Sequence, residues 1–178
     1  MRIIAGSCKG ATIRAPKGLA TRPTGDRARE AAFNLIGPLE GATVLDLFAG
    51  SGAMGLEALS RGARTAVFVE ADHEACRTIE QNLDRLRLGG AIVLCRDVLE
   101  VLAADAGAGR RYDLVLVDPP YRMFSAFQPA LSLYLPAVLA QDGLLVVETG
   151  AKEEPELPLA PITSQRYGSA RLTLFRVE

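Results

Sequence analysis

Val44-Leu45-Asp46-Leu47-Phe48-Ala49-Gly50-Ser51-Gly52 decides the fold of this chain. A short apolar run carries a single carboxylate, breaks at a glycine turn, and gives way to helical patterning over 53–61. Near-continuous apolar strands are what a parallel sheet requires when helices cover both of its faces. Outward from this stretch the pattern repeats. Strands are predicted at 43–47, 65–70, 91–95, 112–118 and 143–149, and helices at 53–61, 72–87, 98–105 and 124–140. The acidic, proline-broken stretch 151–161 interrupts the alternation, and 162–167 and 170–177 then read as two strands joined at Gly168-Ser169. The fold class is therefore α/β: a Rossmann-like, seven-stranded, mostly parallel sheet with an antiparallel carboxyl-terminal hairpin.

Upstream, residues 2–5 and 11–14 predict a small β-hairpin around the glycine-bounded turn Gly6 to Gly10. A loop over 15–25 follows, then a helix with Asp26 as N-cap and Gly37-Pro38 as its stop. Two units are expected: an extension over 1–37 and a main domain over 38–178.

Ligands of doubly wound sheets bind outside the carboxyl ends of the strands. Gly50-Ser51-Gly52-Ala53-Met54-Gly55 also matches the GxGxxG pattern of dinucleotide sites, a weak signal by itself. Asp46, four residues before Gly50, separates the two cofactors. A carboxylate repels a pyrophosphate but attracts the sulfonium and ammonium of S-adenosylmethionine (SAM). Glu70 ends the second strand and suits the ribose hydroxyls, a role common to both. Asp97 follows the third strand, where it can accept the adenine amino group or cap the next helix. The candidate cofactor residues are Asp46, Phe48, Gly50, Ser51, Gly52, Glu70, Ala71, Asp97 and Val98.

The run Leu114-Val115-Leu116-Val117 delivers a second loop, Asp118-Pro119-Pro120-Tyr121. The prolines stiffen the backbone and remove donors. The Asp118 carboxylate and the Pro119 carbonyl are then acceptors for the hydrogens of a planar amine. Such an amine shares its lone pair with a ring, and two acceptors on its hydrogens pull it toward tetrahedral geometry. Tyr121 can stack on the base, a contact worth roughly 1–3 kcal/mol in other systems. The two loops together point to methyl transfer from SAM to an exocyclic or amide nitrogen.

Composition narrows the partners. Cys8, Cys76 and Cys95 are widely spaced without a CxxC, and His73 is the sole histidine, so neither a disulfide nor a metal site is expected. No apolar run approaches a membrane span and the start lacks an apolar signal core, so a cytoplasmic location is expected. The net charge is −1, yet residues 1–30 carry seven basic groups (Arg2, Lys9, Arg14, Lys17, Arg22, Arg27, Arg29) against Asp26 and Glu30. A basic arm on an acidic body suggests a polyanion docked at one end, although a solvated surface would look the same.

Arg2-Ile3-Ile4-Ala5-Gly6, Lys9-Gly10, Thr21-Arg22-Pro23-Thr24, Asp26-Arg27, Arg29-Glu30-Ala31, Phe33-Asn34, the stretch 44–52, Gly55 to Ala63, Asp118 to Tyr121 and Tyr167-Gly168 together resemble the bacterial RsmD-type 16S ribosomal RNA (guanine-N2) methyltransferases. The likeness covers nearly the whole chain, except 105–111 and 151–161. Tyr121 stands where some members carry phenylalanine, and either ring stacks. The resemblance implies a SAM-dependent enzyme that methylates a guanine amino group in small-subunit rRNA, within an assembled or nearly assembled subunit. It implies that Asp46, Gly50, Gly52, Glu70 and Asp97 bind SAM and that Asp118, Pro119, Pro120 and Tyr121 orient the guanine. It further implies that the amino-terminal hairpin and the Arg22 region meet RNA, with Arg2, Lys9, Arg14, Arg22, Thr24 and Arg27 as contacts. A monomer without metal is expected, helped by ribosomal protein or RNA surface. Two other readings stay open: a DNA adenine or cytosine amino-methyltransferase, and a SAM-fold assembly factor without catalysis.

Overall fold

The computed structural model describes residues 1–17, 25–120 and 123–177. Seven strands form one sheet: β1 (Thr43–Leu47), β2 (Thr65–Glu70), β3 (Ala91–Cys95), β4 (Tyr112–Val117), β5 (Leu139–Gly150), β6 (Ala160–Tyr167) and β7 (Ala170–Arg176). Their spatial order is β3-β2-β1-β4-β5-β7-β6. Strands β1 to β5 pair in parallel, and β7 lies antiparallel between β5 and β6. The chain winds outward from β1 to β3, then returns to pair β4 on the other side of β1, which makes the β1/β4 junction the topological switch point.

The helices are α1 (Gly25–Ile36), α2 (Ala53–Ser60), α3 (His73–Leu86), α4 (Val98–Gly107) and α5 (Phe124–Val138). Side-chain alternation splits the core into two layers. Val44, Phe68, Leu114 and Leu116 face one layer with Ala32, Phe33, Leu56 and Ile79, and Leu45, Leu47, Val115 and Val117 face the other with Val101, Leu102, Leu131 and Leu135. The first layer also takes in Ile3 and Ile13.

Two local expectations need correction. Asp26 is not the N-cap of α1; the helix starts at Gly25, and Asp26 lies in its first turn with Oδ1 2.9 Å from Nη2 of Arg29. The amino-terminal hairpin forms: Arg2 pairs antiparallel with Thr12, the amides of Ile3, Gly10 and Ile13 donate to the carbonyls of Ala11, Ile3 and Met1, and the rest of its main chain is held by α2. The amides of Ile4 and Ala5 donate to Glu57 (2.8 and 3.0 Å), and that of Ser7 donates to the Ser60 carbonyl at 2.7 Å. At Gly6 (φ +84°) a Cβ would fall 1.8 Å from that carbonyl oxygen, so only glycine permits the approach. Helix α5 stops at Val138 and not 140, since Leu139 is already extended and pairs with Tyr112. The stretch 151–159 is tied down by Glu154, which reaches Arg171 at 3.0 Å, and by Leu157 and Leu159 against the second layer.

Candidate active site

The carboxyl ends of β3, β2, β1 and β4 lie side by side, so Asp97, Glu70, the loop after Leu47, and Asp118 follow one another along a single edge of the sheet. Neighbouring strands are about 4.8 Å apart. The 48–52 loop and the 118–120 loop therefore leave adjacent, in-register strands (Leu47 opposite Val117) in the same direction. A ring contact ties the first loop to α5, the helix that follows the second: the centroids of Phe48 and Phe127 are 4.8 Å apart.

The first of these loops is held by its own backbone. Phe48 (φ 59°), Gly50 (φ 56°) and Gly52 (φ 79°) are left-handed, an uncommon state for a bulky residue such as Phe48. The amide of Ala49 donates to the Val69 carbonyl (3.1 Å), that of Gly50 to Oε2 of Glu70 (2.8 Å), and that of Gly52 to the Ala49 carbonyl (2.7 Å). Glu70 also accepts the amide of Asp72 on Oε1 at 2.9 Å, so both carboxylate oxygens are fixed while each keeps further lone pairs. Ala71 is exposed beside it. Asp97 takes the capping role: Oδ1 accepts the amides of Leu99 (2.8 Å) and Glu100 (3.2 Å), and Val98 behind it is buried.

Asp46 is the buried charge of the site, 3 % exposed. It shares a sheet face with Val44, and its lateral neighbours are Phe68 and Leu116. One hydrogen bond, from the amide of Gly55 at 2.9 Å, supports it. Burial among apolar side chains lifts its pKa from 3.8 to about 7; the Gly55 bond opposes the rise and the Glu70 charge adds to it. Gly55 is glycine for packing: a Cβ there would meet the Phe68 ring at 2.3 Å and Oδ2 of Asp46 at 3.0 Å. The third glycine of the GxGxxG match thus keeps α2 against the sheet.

In the second loop Asp118 and Pro120 are exposed and Pro119 is buried. The Pro120 carbonyl accepts the amide of Met123 at 3.0 Å, turning the chain into α5. Tyr121 lies outside the described residues, as do Arg22 and Thr24. Arg2, Lys9, Arg14 and Arg27 are all exposed. Arg29, counted above with the basic arm, is not available to a ligand: it is 4 % exposed, reaches the Arg2 carbonyl and Asp26, and places Nε 3.8 Å from Glu57.

Sequence reasoning overlooked two side chains. Glu57 is fully buried; beyond the Ile4 and Ala5 amides it meets Nε of Arg61 at 2.7 Å, which docks the amino-terminal segment on α2. A carboxylate between Leu56 and Ala58, four residues before an arginine, was the available signal. Asn82 is 1 % exposed. Its Oδ1 accepts the amide of Arg14 (2.9 Å), and its Nδ2 donates to the carbonyls of Arg14 (3.0 Å) and Ser51 (3.2 Å). Its place on the apolar face of α3, beside Ile79 and Leu83, is where a polar residue asks for an explanation. The fold also gathers residues distant in sequence: Cys95 lies 3.2 Å from Nδ1 of His73, and burial pushes the Cys76 thiol up to about 12, with Cys95 beside it. Among the described residues no group of three or more such side chains is placed to hold a metal ion, and no helix is long and apolar enough to cross a membrane.

The family model described as "Conserved hypothetical protein 95" matches residues 1–176. The chain belongs to that family. It is 37% identical to "Putative rRNA methyltransferase YlbH" of Bacillus subtilis, over 99% of this chain and 98% of that one. It is 38% identical to "Ribosomal RNA small subunit methyltransferase D" of Escherichia coli, over 90% of this chain and 79% of that one. The RsmD-type resemblance read from the motifs therefore holds. Among solved structures, "Putative methyltransferase yhhF" from Escherichia coli superposes with a TM-score of 0.85 at 33% identity, covering 100% of this chain and 98% of the other. The sheet order and these likenesses establish the fold as that of the Rossmann-like SAM-dependent methyltransferases.

Proposed function

We propose that this protein uses SAM to methylate ribosomal RNA, and that the acceptor is the exocyclic N2 of a guanine in 16S rRNA of the small subunit. The observation that carries this reading is the adjacency of two loops on in-register parallel strands, one glycine-rich and fixed beside the carboxylates of Asp46 and Glu70, the other opening on Asp118-Pro119-Pro120. The names of the full-length relatives support the substrate class.

The residues present fit SAM. The buried Asp46 carboxylate is costly without a cation nearby, as its raised pKa records. The ammonium and sulfonium of the cofactor lower that cost. Glu70, its oxygens fixed by the amides of Gly50 and Asp72, accepts from the ribose hydroxyls. Asp97, while capping α4 through Oδ1, offers Oδ2 to the adenine amino group, with Ala71 and Val98 flanking the ring. Phe48, Gly50, Ser51 and Gly52 form the floor.

When bound, SAM supplies an electrophilic methyl group. Asp118 and the Pro119 carbonyl accept the two amine hydrogens and aim the nitrogen lone pair at it, with Tyr121 stacking on the base. Alignment of this kind contributes several kcal/mol, and acceptors set for the positive charge that develops on nitrogen add to it. The proton leaves during or after transfer, so no strong base is needed beforehand. A stacked, paired guanine cannot present N2 to such a pocket, so the target is unpaired or flipped. The first 37 residues serve as the RNA-contacting extension through Arg2, Lys9, Arg14, Arg22, Thr24 and Arg27, and a neighbouring ribosomal surface completes the contact.

The test is transfer of a tritiated methyl group from SAM to small subunits purified from cells lacking this protein, followed by nucleoside analysis. Label in N2-methylguanosine is expected. Label on another base would refute the guanine assignment, and SAM binding without transfer would leave an assembly factor.

A further inference from the structure

Five arginines, Arg29, Arg61, Arg96, Arg110 and Arg171, each sit against a carboxylate. Arg14, Lys17 and Arg77 do not. Among the described residues none of these three has a carboxylate within ion-pair distance or a side-chain hydrogen bond, and all three are exposed. They nevertheless share one place, a groove of about 470 Å³ lined by Arg14, Lys17, Glu74, Arg77, Thr78 and Gln81. One wall is the extended segment 14–17, where Ile13 and Pro16 point inward and leave the two cations outside. The other is a face of α3, since residues 74, 77, 78 and 81 follow the helical spacing.

The two walls are fixed to each other. Asn82, the next residue on α3, grips the Arg14 main chain at both its amide and its carbonyl, and donates to Ser51 in the 48–52 loop. Helix α3 begins three residues after Glu70, so its first turns, which carry Glu74, Arg77 and Thr78, stand next to the carboxyl edge of the sheet that holds the candidate cofactor residues. Three cations against one carboxylate, with polar walls and no large apolar anchor among the lining residues, suit a polyanion with a repeating charge better than a folded protein surface.

We propose that this groove holds a stretch of RNA phosphodiester backbone, with Lys17 of the amino-terminal arm and Arg77 of α3 as phosphate contacts beyond those named above. It rests on the reading of the chain as an rRNA methyltransferase, and it extends the RNA footprint across α3. Glu74 sets the opposing charge and limits how tightly the backbone is held.

The experiment measures binding of the full-length protein to unmethylated small subunits over a range of KCl concentrations, with methyl transfer and SAM binding followed separately. Arg77→Glu should weaken subunit binding about tenfold and reduce the slope of log K against log salt by about one, leaving SAM affinity as in the wild type. Glu74→Gln should tighten binding. An unchanged affinity and slope in Arg77→Glu would overturn the proposal, as would a poly-glutamate peptide that competes with the subunit as well as rRNA fragments of equal charge. The two readings fail separately. A wild-type protein that binds subunits but transfers no methyl group refutes the enzyme; wild-type transfer unaffected by Arg77→Glu refutes only the groove.

Discussion

The loop after β1 and the loop after β4 leave neighbouring strands in the same direction, yet they are built on opposite plans. Residues 48–52 are laced down: the amides of Ala49, Gly50 and Gly52 are all donated, the Ser51 carbonyl is held by Asn82, and three residues are left-handed. Residues 118–120 gain stiffness covalently, from two prolines that have no amide to donate. The first plan fixes a glycine-rich backbone beside the carboxylates of Asp46 and Glu70, where a charged ligand can meet them. The second presents acceptors to an amine that must be gripped and then released. Binding and chemistry should therefore separate cleanly between the two loops under mutation.

Asp118→Ala is the largest expected break. Removal of one acceptor matched to developing charge should lower kcat by about 100- to 1,000-fold, while SAM affinity, measured by calorimetry, should stay within about twofold, because the lost contact is assigned to the base and not to the cofactor. A drop in SAM affinity comparable to the drop in kcat would merge the two loops into one functional unit. A wild-type rate would remove Asp118 from the reaction.

Asp46 should show the reverse pattern. Asp46→Asn should weaken SAM binding about 10- to 100-fold, the loss of a charge-assisted contact, and leave kcat at saturating SAM much closer to normal. pH sharpens this. Asp46, with its pKa at about 7, carries a proton below neutrality that a cationic ligand displaces. SAM affinity should then rise with pH by up to about tenfold per unit below pH 7 and level off above it. The amide introduced by Asp46→Asn has no such proton, so that part of the profile should be flat in the variant. Stability has the opposite sign. Between about pH 4 and 7 the folded apo-protein binds a proton that the unfolded chain has lost, so this group makes unfolding easier as pH rises through that window. Denaturant titrations of the two proteins across that range check it.

The same contrast explains what was legible in the sequence. Both loops announced themselves because each ends an apolar run with residues of restricted conformational use, glycine in one and proline in the other. The sheet followed, since buried parallel strands have no polar face to blur their limits. The attachment of the amino-terminal segment was not legible. It depends on Glu57 and Asn82, single polar residues on apolar helix faces whose partners lie 52, 53 and 68 positions away along the chain. Local periodicity carries no information about such partners. For the same reason the basic count over residues 1–30 overstated the exposed charge, because nothing local marks Arg29 as buried against Glu57.

Asn82 gives the smallest and sharpest test, because it touches the laced loop and not the proline loop. Asn82→Asp keeps the size and the acceptor for the Arg14 amide but loses the bonds donated to the Arg14 and Ser51 carbonyls, and it places an acceptor against two others. Unsatisfied buried groups cost about 1–3 kcal/mol, so urea denaturation should show a loss of that size. The loosened Ser51 should weaken SAM binding by less than about tenfold, in proportion to one lost neutral hydrogen bond. Turnover at saturating SAM should not change, since residues 118–120 have no part in the Asn82 network. Reduced turnover with SAM saturated would mean that strain in one loop reaches the other, and the Phe48–Phe127 ring contact between the first loop and α5 would be the place to look.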